Sequence, residues 1–261
     1  MYSAVALALG ALGALILGLL AGELVNRLAD RIVGVDEPIW SATQCHKCLA
    51  PLPTPAPLAL RELFRRRVCS ACGKRASLRR PLTQLALALL APTLLWRAYA
   101  TPIHGALPAW ALFGMALAAM VALAFIFVVD LEHRLIYDIS IFPLAVTLLA
   151  LTGIFDRKHL LPLVFAGIFC GLLFLVFYGL GWLLYRQEAL GFGDVKLALL
   201  IGAVVGWPGL ITALFATMIS SALISLLLLA SGSAERRTFI PFGVFMAAAA
   251  IFALLAAPLP W

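Results

Sequence analysis

Charge is scarce in this chain. Only 12% of its 261 residues are Asp, Glu, Lys or Arg, about half the share of a soluble domain. Hydrophobic residues make up 64% and mean hydropathy is +1.07. No water-soluble fold hides that much apolar surface, so the bilayer must solvate most of the chain. Histidine is rarer still, with four residues and no H-E-x-x-H, which removes the common catalytic zinc motif. No Ser-His-Asp set falls at one depth, and no G-x-G-x-x-G nucleotide fingerprint is present. No basic residue precedes the first apolar run, as a cleaved signal peptide would require. A retained first helix with its N-terminus outside fits better.

A transmembrane helix needs about 20 mostly apolar residues. Eight such runs are present, at 3–22, 82–101, 107–129, 138–155, 160–185, 192–207, 209–231 and 239–258. Pro208 divides the sixth from the seventh, so those two are expected to form a tight hairpin. The predicted fold is therefore an all-α polytopic membrane protein of about eight helices. It divides into a first helix (1–22), a cytoplasmic loop domain (23–81) and a seven-helix membrane core (82–261). With the N-terminus outside, 23–81, 130–138, 186–191 and 232–238 face the cytoplasm. Fifteen of the nineteen Lys and Arg residues fall in those segments and Lys196 lies just inside the sixth span's cytoplasmic end, leaving only Arg97, Arg157 and Lys158 outside. This is the expected positive-inside bias. It accounts for the net charge of +7 without a nucleic-acid partner, and leaves anionic lipid headgroups as natural contacts.

The one long polar stretch carries Cys45-His46-Lys47-Cys48, twenty further residues, then Cys69-Ser70-Ala71-Cys72. Each C-x2-C pair can grip a metal from a tight turn, and two pairs complete a tetrahedral thiolate site. In the reducing cytoplasm the thiols stay reduced, which favours Zn2+ over disulfides. Four thiolates leave no open position, so the metal reads as structural, in a small zinc-ribbon-like domain. Cys170, alone in an apolar run, reads as core filler.

Acids at membrane depth are costly and usually functional. Asp130 ends the apolar run Val121–Val129, and Asp194 sits in Gly191-Phe192-Gly193-Asp194-Val195-Lys196. Both fall at cytoplasmic helix ends, 64 positions apart. Acids do collect at helix ends simply because water is near. Two at matched depth on separate helices, however, can form a dyad in which like charges cannot both ionise easily. The ionised member can take a proton from water while the protonated one polarises a peptide carbonyl. Gly191 and Gly193 allow a second helix or a peptide to approach closely. Lys196 is placed to pair with a carboxylate or a headgroup. Asp138 and Glu132 are secondary candidates, and His133 stands three residues after Asp130.

Together these residues resemble the type IV prepilin peptidase family, bacterial leader peptidases that are commonly also N-methyltransferases. The resemblance covers most of the chain. Val129 to Asp138 is similar to the family's I-D-x-x-x-x-L-x-P-D segment, and Gly191 to Lys196 matches G-x-G-D-x-K. Gly22, Asn26 and Arg31 match an early G-S-F-L-N-x-x-x-x-R pattern. Ser77 to Leu85 resembles S-x-R-Y-P-L-x-E-L, and Pro241 to Phe245 resembles P-F-G-P-F. Several positions depart from the family. The prolines that usually follow the cysteine pairs are missing, Tyr137 replaces a proline, Gln84 stands where Glu is usual, and Arg67 where Gly is frequent.

The resemblance implies catalysis by Asp130 and Asp194. It also implies removal of a short basic leader after a glycine from pilin-like and pseudopilin precursors, at the cytoplasmic face of the inner membrane. A second implied reaction methylates the new N-terminal amine with S-adenosylmethionine. Two other classes compete. A proton-coupled transporter would use the same aspartates as proton carriers, but should place them near the midplane and often shows repeated halves. A scaffold for a secretion machine would not require the aspartates at all. Nothing in the sequence fixes an oligomeric state.

Overall fold

The computed structural model describes residues 4–32, 48, 50, 68–73, 77–100, 107–186, 190–232 and 240–261. Among them the regular structure is helical. The helices are α1 (Ala4–Ile32), α2 (Arg79–Ala100), α3 (Ala109–His133), α4 (Asp138–Phe155), α5 (Arg157–Tyr185), α6 (Phe192–Ala230) and α7 (Phe242–Ala256). Four of them, α1, α3, α5 and α6, are long and apolar enough to cross a membrane. Leu161, Phe165, Phe169, Leu172 and Val176 leave α5 exposed over much of their surface, as a lipid-facing helix requires when no water is there to penalise it.

The expected eight runs appear as seven helices, because the sixth and seventh run on as α6. The division at Pro208 is nevertheless present within it. Gly206 adopts φ 54°, ψ −170° and Trp207 is extended, so the helical ladder is interrupted there. Only glycine takes that φ cheaply, and a Cβ at Gly206 would also lie 2.8 Å from Leu163 Cδ2 and from Pro260 Cβ. Helix α3 likewise continues past the apolar run to His133, which places Asp130 one turn inside the helix rather than at its end. The left-handed Arg134 then stops it, its N–H donating to the Asp130 carbonyl.

The chain forms two compact units, Met1–Trp96 and Arg97–Trp261. In the first, α1 and α2 pack at glycines: a Cβ at Gly18 would lie 2.7 Å from Ala88 Cα, and one at Gly22 would lie 2.6 Å from Gln84 Cα. Small residues let the two backbones meet, as membrane helices do where apolar burial supplies little drive. A polar network closes this crossing. Gln84 Nε2 donates to Glu23 Oε2 at 2.9 Å, Arg27 pairs with Glu23 at 2.8 Å, and Asn26 Nδ2 donates to the Gly22 and Arg80 carbonyls. Asp30 is bridged by both Arg79 and Arg80.

In the second unit α3 is the buried centre, with Ala116, Ala119, Met120, Leu123 and Ile126 fully enclosed. It packs on α7 and α4, while α6 packs on α5, α7 and α4. The consequence for the site is that the C-terminal turn of α3 and the N-terminal turns of α6 and α7 come together.

Candidate active site at three helix ends

Asp130 and Asp194 are both buried, at 5% and 8% exposure. They reach the same place by different routes. Asp194 occupies the third position of α6, counted from the cap Gly191. Its N–H donates to the Gly191 carbonyl at 3.0 Å, and its carboxylate accepts the Gly191 N–H. This is the carboxylate half of a capping box, so the local sequence itself fixes the side chain over the helix N-terminus. Asp130 arrives from the last turn of α3 and accepts the backbone N–H of Val244, in the first turn of α7. Backbone donors at a helix start favour a carboxylate there. The Asp194 carboxylate feels the charge of Asp130, and the charge of Arg134 also reaches Asp130.

Asp130 Oδ2 is enclosed and has no hydrogen-bond partner among the described residues. A buried polar atom left unsatisfied carries a free-energy cost, so such atoms are rare outside functional sites. It lies where α7 comes closest: a Cβ at Gly243 would be 2.8 Å from Oδ2 and 3.0 Å from Ile136 Cδ1. Gly193 makes a similar approach from α6, its missing Cβ falling 3.1 Å from Ile136 Cβ. The Ile136 side chain therefore lies against both glycines. Gly193 meets this residue of the same chain, whereas the sequence suggested a second helix or a peptide. Gly191 approaches the carboxylate of its own helix, with a Cβ there 3.5 Å from Asp194 Oδ2.

Lys196 pairs with Asp138 through both carboxylate oxygens, at 2.7 and 2.8 Å. Its ammonium also lies 5.3 Å from the centre of the Phe192 ring, within cation–π range. This pair ties the start of α4 to the start of α6, and thereby spans the non-helical segment 134–137 that carries Ile136. His133 Nε2 is 3.9 Å from Glu132 Oε2 and has no hydrogen-bond partner among the described residues.

The described cysteines of the C-x2-C pairs, Cys48, Cys69 and Cys72, lie in the first unit. The sulfurs of Cys48, Cys69 and Cys72 all fall within 4.8 Å of one another, with Cys48 and Cys69 Sγ at 3.5 Å. Tetrahedral zinc with Zn–S of about 2.3 Å spaces its sulfurs by roughly 3.8 Å, so the three are placed to bind it. The N–H groups of Cys72 and Ala71 point at Cys69 Sγ and hold its thiol below the ordinary range, which favours the thiolate a metal needs. The fourth expected ligand, Cys45, lies outside the described residues, as does His46.

The sequence marks Pro241 to Phe245 as a motif without placing it, and nothing in the two motifs sets Val244 or Ile136 apart from their neighbours. The Gly-bounded start of α7 was the available signal. That it receives Asp130 depends on three helix ends converging, which no local pattern encodes.

The family profile described as the type IV leader peptidase family matches residues 116–228, which include both aspartates. A prepilin leader peptidase/N-methyltransferase of Aeromonas hydrophila is 30% identical, over 85% of this chain and 75% of the relative. One of Pseudomonas putida is 29% identical, over 93% of this chain and 89% of the relative. One of Pseudomonas aeruginosa is 31% identical, over 72% of this chain and 61% of the relative. No solved structure matches the chain.

Proposed function

The chain belongs to the prepilin leader peptidase/N-methyltransferase family, and from that membership we propose that it cleaves prepilins by an aspartate pair, Asp130 and Asp194. The observation that carries this reading is the pairing itself. Two buried carboxylates from separate helices sit within electrostatic reach, each held by a backbone N–H at a helix start.

The reaction follows from the geometry. Two neighbouring carboxyls share one proton, because ionising both sets like charges together in a poorly solvated place. The ionised member takes a proton from a water molecule. That water adds to the carbonyl carbon of the scissile peptide, and the protonated member donates to the carbonyl oxygen. Collapse of the tetrahedral adduct breaks the C–N bond. The departing nitrogen takes a proton and becomes the amine of the mature pilin. Val244 and Gly191 hold the two carboxylates, so little reorientation is left to the moment of reaction. Lys196 and Asp138 link the start of α4 to the start of α6.

The substrates on this reading are pilin-like and pseudopilin precursors, cut after a glycine just ahead of their hydrophobic helix. The site then faces the cytoplasm at the inner membrane, with the N-terminus outside and the eight apolar runs spanning. The second family reaction would methylate the new amine, with S-adenosylmethionine supplying the methyl group and the amine giving up a proton. Zinc on Cys45, Cys48, Cys69 and Cys72 would staple the 23–81 module, while 82–261 forms the peptidase core. The transporter reading gains nothing from the three relatives described above, each named as a prepilin leader peptidase/N-methyltransferase.

The test is cleavage of a purified prepilin in detergent by the wild type, Asp130→Asn and Asp194→Asn, each with its zinc content measured. Loss of cleavage in both variants, at unchanged zinc and folding, supports the pair. Wild-type turnover surviving in either one removes it.

A further inference from the structure

Ile136 is the side chain at the site that no reaction step uses, and its surroundings are unusually tight. Its Cβ faces the missing Cβ of Gly193 at 3.1 Å, and its Cδ1 faces that of Gly243 at 3.0 Å. Contacts that close leave room for hydrogen and little else. The same Gly243 position lies 2.8 Å from Asp130 Oδ2, the carboxylate oxygen that is enclosed and unpartnered among the described residues. Ile136 is thus packed over the place where a scissile peptide must lie to reach the aspartates.

We propose that Ile136 is the specificity-determining residue that restricts the position before the scissile bond to glycine; this rests on the aspartate-pair reading above. A scissile carbonyl has to come within about 3.5 Å of the reacting groups. That brings the Cα of the preceding residue into the space bounded by Ile136, Gly193 and Gly243. Segment 134–137 is non-helical, starts at the left-handed Arg134 and is anchored at its far end by the Asp138–Lys196 pair. Asp138 is more than half exposed in that pair, and exposed ion pairs are weak restraints. The segment can lift to admit the peptide and settle again over it. Ile136 closes down over the peptide when the residue beneath it has no Cβ. With a larger residue the segment stays raised, the carboxylates stay wet, and the reaction geometry is not completed.

The test uses the full-length enzyme in detergent and two forms of one purified type IV prepilin, with the native glycine or with alanine before the scissile bond. The quantity read is the ratio of kcat/KM for the alanine form to that for the glycine form. One methyl group in a tight apolar site is worth about 10-fold or more in discrimination. Ile136→Ala is expected to raise the ratio by at least about 10-fold. Ile136→Val keeps the Cβ branch against Gly193 and removes Cδ1 from Gly243, and is expected to raise it by a smaller factor. An unchanged ratio in both variants overturns the proposal. If the alanine variant cleaves neither form, the valine variant carries the test by the same ratio. Asp130→Asn and Asp194→Asn report separately on the aspartate pair. Full cleavage by either one overturns that reading whatever the ratio does. A lost pair function with an unchanged ratio overturns only the role of Ile136.

Discussion

The α1–α2 crossing and the junction of α3, α6 and α7 meet their acids in opposite ways. At the α1–α2 crossing every described acid has a cationic or amide side chain to meet it: Glu23 has Arg27 and Gln84, and Asp30 has Arg79 and Arg80. At the junction of α3, α6 and α7 the acids are met by backbone N–H groups, and one oxygen of Asp130 has no partner among the described residues. A network of matched side chains serves to hold a crossing together. Carboxylates held by fixed main-chain dipoles, with capacity left over, are arranged to act on something that arrives. Both regions also use glycine where elements meet, but to different ends. Gly18 and Gly22 let backbone meet backbone, whereas Gly193 admits the Ile136 side chain and Gly243 admits both Ile136 and the Asp130 carboxylate.

The sharpest way to break this contrast is to add a single methyl group on each side. Gly243→Ala puts a Cβ 2.8 Å from Asp130 Oδ2. Cleavage is expected to fall by about 100-fold, because a displacement on the ångström scale at a reacting group costs that much. The melting temperature should move little. Gly22→Ala puts a Cβ 2.6 Å from Gln84 Cα, and overpacking of that kind costs about 1–3 kcal/mol. There the loss should appear as a lower melting temperature in detergent. Should the two variants exchange these phenotypes, the division between a structural and a reactive polar region is wrong.

The next largest effect lies within the matched network. Glu23→Gln removes the carboxylate that Arg27 and Arg80 face. Breaking a buried pair from one side costs about 3–5 kcal/mol where burial is complete, and these side chains keep 13–22% exposure, so a smaller loss is expected. A double-mutant cycle with Arg27→Met, followed by thermal unfolding in detergent, measures the coupling. A coupling near zero would mean that the network is ornamental and that the glycine contact alone holds α1 on α2.

Some of this was legible in the sequence and some was not. Apolar runs identify membrane helices because each must satisfy its own backbone in lipid, and Pro208 marked the break inside α6. Asp194 and its cap Gly191 are three positions apart, so a local motif specifies their geometry. Asp130 was found as an acid ending an apolar run, but its partner Val244 is 114 positions further on and contributes a main-chain N–H, which any residue except proline carries. Ile136 carried no signal at all, since an isoleucine among apolar residues looks the same whether it faces lipid or a carboxylate. Glu23, Asp30, Arg79 and Arg80 fall within or at the edge of the 23–81 cytoplasmic loop in the sequence reading, because ion pairing between residues about 50 apart leaves no periodicity.

The cysteine cluster sharpens the comparison from a third side, since its sulfurs are spaced to hold a metal. Cys69→Ser is expected to lower bound zinc from one per chain to well below one, measured by elemental analysis of the purified enzyme. Sulfur donors replaced by a hydroxyl lose the thiolate that zinc prefers. Cleavage per folded molecule should change less than in Gly243→Ala, because the metal would hold a module that supplies no reacting group.

The smallest effect is expected at the turn between α4 and α5, where Asp156 caps α5 by accepting the Lys158 N–H and also contacts His159 at 2.9 Å. That contact with His159 holds the Asp156 carboxyl below its usual range. A carboxylate depressed in the folded state stabilises it fully above the unfolded pKa of about 3.9. The contribution fades as pH falls from there through the lower folded value. Asp156→Ala should cost about 1 kcal/mol at neutral pH, the usual worth of a helix cap. The difference in melting temperature between wild type and variant should shrink as pH drops below about 4. A gap that stays constant across that range would assign the cost to lost packing in the turn and leave the carboxylate no electrostatic part in it.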